Sequence, residues 1–260
     1  MSGGATDIAV VDLAAVAADL QALGGARILL GHQSVGRNIL TGVAALAAET
    51  GVGLRIVEID VLPPDPLPGL FHTPIGANGD PDSKCQMFRR LLDRPERPAY
   101  DLAMMKFCYV DLGRGTPLEA RVMLERYAAT IGALRVARPD VRIVHSTLPL
   151  RTAPAGWKAT IKRVIGRPPE EDADNALRSA FNAGLRARFA AEPIFDLARI
   201  ESTRPDGSPN SIRVGGRPVQ VLEAGYSNDG GHLNAAGQRR AAAEFLRTLA
   251  AALPPRSAGL

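Results

Sequence analysis

Short, almost uninterrupted apolar runs alternate along this 260-residue chain with longer stretches in which apolar positions recur every three or four residues. The short runs are Ala26–Gly31, Leu54–Ile59, Asp101–Phe107, Val141–Ser146 and Pro193–Leu197. Runs of this length that are apolar at nearly every position read as strands buried on both faces. The longer stretches are Val35–Glu49, Pro117–Ala137, Asp174–Ala191 and Asn234–Leu253. In the first of them Ile39, Leu40, Val43, Leu46 and Ala47 share one side, and Pro117 stands at a tolerated helix start. Strand and helix in alternation predict an α/β fold. Its central sheet has five mostly parallel strands, with helices on both faces.

Three segments break the alternation. Residues 61–82 hold six prolines, three glycines and three aspartates, 202–228 is rich in Gly, Pro, Ser and Asn, and 151–171 carries Trp157 within a basic run. All three read as long loops, a class that is often functional. The third is expected to cross over the site with a short helix. No repeat or linker divides the chain, so residues 1–260 read as one domain.

Composition narrows the picture. With 46% hydrophobic and 22% charged residues the chain can fill a core without staples. Two cysteines, Cys85 and Cys108, match no zinc spacing and read as free thiols, Cys108 as a buried apolar residue. The net charge of +4 comes from basic residues mixed with acidic ones, with no aromatic interleaving, which argues against nucleic acid. Asp7, Asp12 and Asp19 interrupt the N-terminal apolar stretch and no basic region precedes it, so no secretory signal is expected. No apolar run is long enough to span a membrane. A cytoplasmic protein is the expectation.

In an open parallel sheet, ligands bind beyond the carboxyl ends of the strands. The residues following the predicted strands bring all four histidines, His32, His72, His145 and His232, to that edge. Ser34 lies where the first strand meets the first long helix. A serine there either caps the helix or serves as a nucleophile, because the helix N-terminus favours developing negative charge. A nucleophilic serine needs a base, and the base an orienting partner. Asp229 and His232, three positions apart in Asp229-Gly230-Gly231-His232, can meet across a tight turn, while Asn234 suits a cap for the last helix. Lys106 is either a strand-end residue with its amine in solvent or a cation of the site.

The string Asp229-Gly230-Gly231-His232-Leu233-Asn234-Ala235-Ala236-Gly237, with Ser34 after the first strand, resembles the SGNH (GDSL-like) hydrolases. The resemblance implies a three-layer flavodoxin-like fold and an esterase or deacetylase needing no cofactor. Its substrates would be carboxylic esters, thioesters or acetylated carbohydrates. It further implies Ser34 as nucleophile, His232 as general base and Asp229 as the residue that orients the imidazole. The first block departs from the family: His32 and Gln33 stand where glycine and aspartate are usual. The family's oxyanion glycine falls on Gly76 or Gly79. Its asparagine has no counterpart in Lys106–Asp111, so the Ser34 amide with Gly76 and either Asn78 or Lys106 would complete the oxyanion hole. His32, Gln33, His72, Lys106 and His145 are expected substrate contacts. Two other readings stand beside this one. One is a metal-dependent hydrolase built on His32, His72, His145 and Asp80 or Asp111. The other is a non-catalytic binding module on the same fold, with Trp157 and its basic neighbours as a ligand surface.

Overall fold

The computed structural model describes residues 11–60, 67–93, 100–113 and 119–254. Its central sheet contains β1 (Arg27–His32), β2 (Ile56–Glu58), β3 (Gly69–Pro74), β4 (Leu102–Met105), β5 (Arg142–Ser146) and β6 (Ile194–Phe195). All pairs are parallel and the order is β2-β3-β1-β4-β5-β6. The sheet therefore has six strands where the sequence pattern predicts five. The extra one, β3, lies inside the segment 61–82 expected to be loop, of which 61–66 fall outside the described residues. Pro68 and Pro74 bracket β3 and mask its signal. Pro74 is tolerated because it occupies the last register position, opposite His32. β3 takes the place beside β1 and leaves β2 at the edge.

The helices are α1 (Leu13–Leu23), α2 (Ser34–Thr50), α3 (Pro81–Leu92), α4 (Ala120–Ala137), α5 (Trp157–Val164), α6 (Glu170–Arg188), α7 (Leu197–Glu201) and α8 (Ala235–Ala252). The predicted start of the helix at Pro117 lies outside the described residues. α1, α3 and α7 are absent from the apolar pattern but carry local start signals. Asp12 caps α1 by accepting from the Ala14 and Ala15 amides, and Asp80 caps α3 ahead of Pro81. α6 begins at Glu170, before the predicted Asp174, because Glu170, Glu171 and Asp172 suit the positive end of a helix dipole. Within 202–228 the chain forms an antiparallel hairpin of β7 (Ser211–Val214) and β8 (Arg217–Gln220).

Two apolar layers hold the sheet. Ile28 and Leu30 of β1 face the layer of α1, α2, α7 and α8, while Leu29 faces that of α3, α4 and α6. Strand residues alternate between the two layers, which is why these strands are apolar at nearly every position. Each fully buried Leu or Phe contributes roughly 1.5–3 kcal/mol. The carboxyl ends of β1, β3, β4 and β5 come together at one edge, where the first turn of α2 begins.

Candidate active site

β1 ends at His32, Gln33 is the N-cap of α2, and Ser34 is its first helical residue. Gln33 gives no side-chain cap to the helix. Its Nε2 instead donates to the carbonyls of Ile75 and Gly76, at 2.7 and 2.9 Å, tying the start of α2 to the loop after β3. The first turn of α2 packs directly against the end of β1, and Gly36 permits this: a Cβ there would lie 2.4 Å from His32 Cβ. The half-buried Ser34 hydroxyl therefore sits at an uncapped helix N-terminus, where backbone N–H groups favour an anion.

The second half of the site is the turn before α8. Asp229 Oδ1 accepts from the Gly231 and His232 amides at 2.9 and 2.8 Å. Gly230, at φ +82°, makes the left-handed step that closes this turn. The other oxygen, Oδ2, lies 2.6 Å from His232 Nδ1. His232 Nε2 lies 2.9 Å from Ser34 Oγ, joining residues 198 positions apart. These bonds hold the Asp229 carboxyl well below the usual carboxylate range, the His232 ring first and the two amides next. Ser227 Oγ donates to the His232 carbonyl at 2.6 Å, and Asn38 Oδ1 of α2 accepts from the Leu233 amide at 3.2 Å. The Tyr109 ring meets the imidazole edge-on at 5.9 Å. The cap reading of Asn234 agrees with the structure, since its side chain accepts from the Gly237 amide.

The loop after β3 differs from expectation. The Gly76 amide points to Met87 Sδ at 3.3 Å, so it is turned into the protein and away from an oxyanion position. The Gly79 amide is likewise engaged, by Asp111 Oδ1 at 2.9 Å. Asn78 is exposed, and its Oδ1 accepts from Lys84 Nζ at 3.1 Å, which leaves its Nδ2 without an acceptor among the described residues. Lys84 and Asp111 form a fully buried ion pair with Nζ 2.7 and 2.5 Å from the two carboxylate oxygens, and Asp111 also accepts from the Cys108 amide.

Several expected substrate contacts are spoken for elsewhere. His32 is buried, with Nδ1 on the Gln33 carbonyl at 2.7 Å and Nε2 on His72 Nδ1 at 3.0 Å. Burial, then the neighbouring His72 and Lys106, push its pKa down to about 4, and burial lowers that of His72. The tautomers that fit are a neutral pair: His32 donates through Nδ1 and accepts through Nε2 from His72. Lys106 is fully buried with Nζ donating to the Phe107 carbonyl, so its amine reaches neither solvent nor an open site. His145 departs furthest. The period of two in β5 turns it with Ile143 toward the α4–α6 layer, while Val144 faces the other. There its ring stacks on Phe189 at 3.9 Å, with Tyr127 on one nitrogen and Glu192 on the other. The set assembled in the metal-dependent reading is thus dispersed, with Asp80 capping α3 and Asp111 holding Lys84. Among the described residues no three His, Cys, Asp or Glu side chains gather. Both cysteines are buried and free.

Asn38, Lys84 and Tyr109 escape the sequence reading. Lys84 alone leaves a trace: it falls on the stripe Pro81, Lys84, Cys85, Phe88, Leu92, a cation at a core position of an amphipathic helix.

No protein-family model matches the chain, and no curated protein does. Solved structures do. The lipase/acylhydrolase from Enterococcus faecalis is 13% identical, with 89% of this chain and 98% of that chain covered at a TM-score of 0.51. The carbohydrate esterase family 3 protein from Talaromyces cellulolyticus is 13% identical, covering 86% and 96%, also at 0.51. Identity this low speaks for the fold alone. The chain shares with these proteins a flavodoxin-like three-layer α/β fold.

Proposed function

We propose that this chain is a serine-dependent hydrolase of ester-type substrates, a carboxylic ester, a thioester or an acetylated carbohydrate. Ser34 is the nucleophile, His232 the general base and Asp229 the orienting carboxylate. The observation that carries the reading is the line Asp229 Oδ2–His232 Nδ1–His232 Nε2–Ser34 Oγ, with links of 2.6 and 2.9 Å. Asp229 fixes the tautomer in which Nδ1 carries the proton, so Nε2 is free to accept from the serine hydroxyl.

Ser34 Oγ attacks the substrate carbonyl carbon as His232 Nε2 takes its proton. The carbonyl oxygen becomes an oxyanion, received by the Ser34 amide at the N-terminus of α2 and by Asn78 Nδ2. Lys84 holds the Asn78 oxygen and so points the donor end outward. His232 then protonates the leaving alcohol or thiol, giving an acyl-serine. A water, deprotonated by His232, attacks the acyl carbon, the bond to Ser34 Oγ breaks, and His232 returns the proton to Oγ as the acid leaves. A well-placed oxyanion donor is worth about 2.7–4 kcal/mol of transition-state stabilisation. The fold, shared with an acylhydrolase and a carbohydrate esterase, is compatible with this chemistry.

The test is turnover of p-nitrophenyl acetate and butyrate, acetyl thioesters and acetylated xylose, by wild type and Ser34→Ala. Labelling by a fluorophosphonate is followed by mass spectrometry. Turnover lost in Ser34→Ala, with one label on Ser34, is expected. Turnover retained in that variant overturns the assignment.

A further inference from the structure

The structure assigns a second surface. We propose that α5 and the turn that follows it dock the protein on an anionic phospholipid bilayer. This inference stands independently of the hydrolase reading.

The exposed large apolar side chains are concentrated here. Trp157, Ile161, Val164 and Ile165 are 70%, 48%, 81% and 60% exposed, and they account for four of the seven such residues described. Scattered single apolar residues need no explanation, but a contiguous patch marks an interaction site. At about 100° per residue, these four side chains share one arc of the helix. Ala159 and Arg163 lie on the opposite arc and anchor it to the body. Ala159 is buried, and Arg163 donates to Asp172 and to the Pro154 carbonyl. The apolar arc therefore points away from the protein by construction.

Charge says what covers it. Lys158 and Lys162 border the arc on one side and Arg167 follows in the turn, all exposed and none in an ion pair with a described residue. No acidic residue occurs between Gly156 and Pro169. A second copy of the chain would bring like charges together across this patch. A stable dimer also needs roughly 20–30 residues a side, far more than a two-turn helix offers. An apolar face carrying a tryptophan, with lysines beside it, suits the boundary of acyl chains and anionic headgroups. The segment just before α5 touches the candidate active site: the Thr152 amide and Arg151 Nε both donate to the Gly230 carbonyl, at 3.0 and 3.3 Å. Docking through α5 would bring that turn close to the membrane surface.

Trp157 is the only tryptophan, so tryptophan fluorescence, excited beyond the tyrosine band, reports on this helix alone. The full chain is titrated with large vesicles of phosphatidylcholine, with and without about a third phosphatidylglycerol, and binding is also read by vesicle sedimentation. A blue shift and co-sedimentation with the anionic vesicles alone, both lost at high salt, are expected. Lys158→Gln and Lys162→Gln should each weaken partitioning about fivefold. Ile161→Asp/Val164→Asp should abolish it with an unchanged circular dichroism spectrum. Three results overturn the proposal: no response to anionic vesicles, equal binding to neutral ones, or a blue shift that follows protein concentration without lipid and accompanies a dimer in sedimentation.

Discussion

Lys84→Met tests how the loop carrying Asn78 is held. Lys84 and Asp111 are both fully buried, and Nζ lies 2.7 and 2.5 Å from the carboxylate oxygens. The substitution keeps the apolar stem and removes the charge. Asp111 then keeps two donors, the Gly79 and Cys108 amides, but has no counter-ion in a dry site. Breaking such a pair from one side costs about 3–5 kcal/mol. Asp111→Asn strands the lysine and should cost a similar amount. Combining the two leaves a neutral site whose amide oxygen can still accept a backbone N–H. The double variant should therefore be more stable than the sum of the single effects by at least about 2 kcal/mol. Urea denaturation measures this. With a slope near 3 kcal/mol per molar, the Lys84→Met midpoint should fall by about 1–1.7 M. A loss under about 1 kcal/mol, or strict additivity in the double variant, refutes the buried-pair argument.

Asp229→Asn should lower kcat/KM by roughly 10–10³-fold on the substrate that wild type turns over. The lost carboxylate acts across 1–4 kcal/mol at this partly exposed site, so the loss should stay below that of Ser34→Ala; an unchanged rate would remove Asp229 from the mechanism. His32, neutral and held at about 4 in the fold, costs stability as pH falls from about 6.5, where the unfolded imidazole protonates, to 4. The unfolding free energy should drop across that window by up to about 3 kcal/mol, and His32→Asn should flatten the drop; equal slopes in the two proteins would contradict this. Burial raises Glu201 to about 8, and one of its oxygens, Oε1, has no hydrogen-bond partner among the described residues. The acid is therefore protonated in the fold, and its contribution is whole below about 4.5 and fades as pH rises through 8. Glu201→Gln should remove that decline while keeping the bond from the Leu150 amide, and a variant that declines as steeply as wild type refutes the assignment.

The parts of this molecule written in local chemistry are legible in its sequence. The strands of the buried sheet show as apolar runs, and the turn before α8 shows because an aspartate two and three residues ahead of two amides is a self-contained device. β3 escapes because its six residues follow one proline and end on another, and its polar His72 finds its partner only in His32, 40 residues away. Lys84 escapes for a similar reason: its partner Asp111 lies 27 residues away, and nothing local shows that both are dry. His145 shows that the carboxyl end of a strand does not by itself place a side chain in the site. The face of the sheet decides, and one residue of register separates the two faces.

The proposed catalytic set is made of two pieces far apart along the chain. The Asp229–His232 turn forms from residues three apart, but Ser34 reaches it only when α8 docks along α2 and closes 198 residues of chain. Contacts of that span are the slowest to form, because the loop entropy is lost before the contact is gained. In refolding, recovery of hydrolysis should therefore trail the return of helical signal, which makes the reaction a clock for the last docking event rather than for secondary structure.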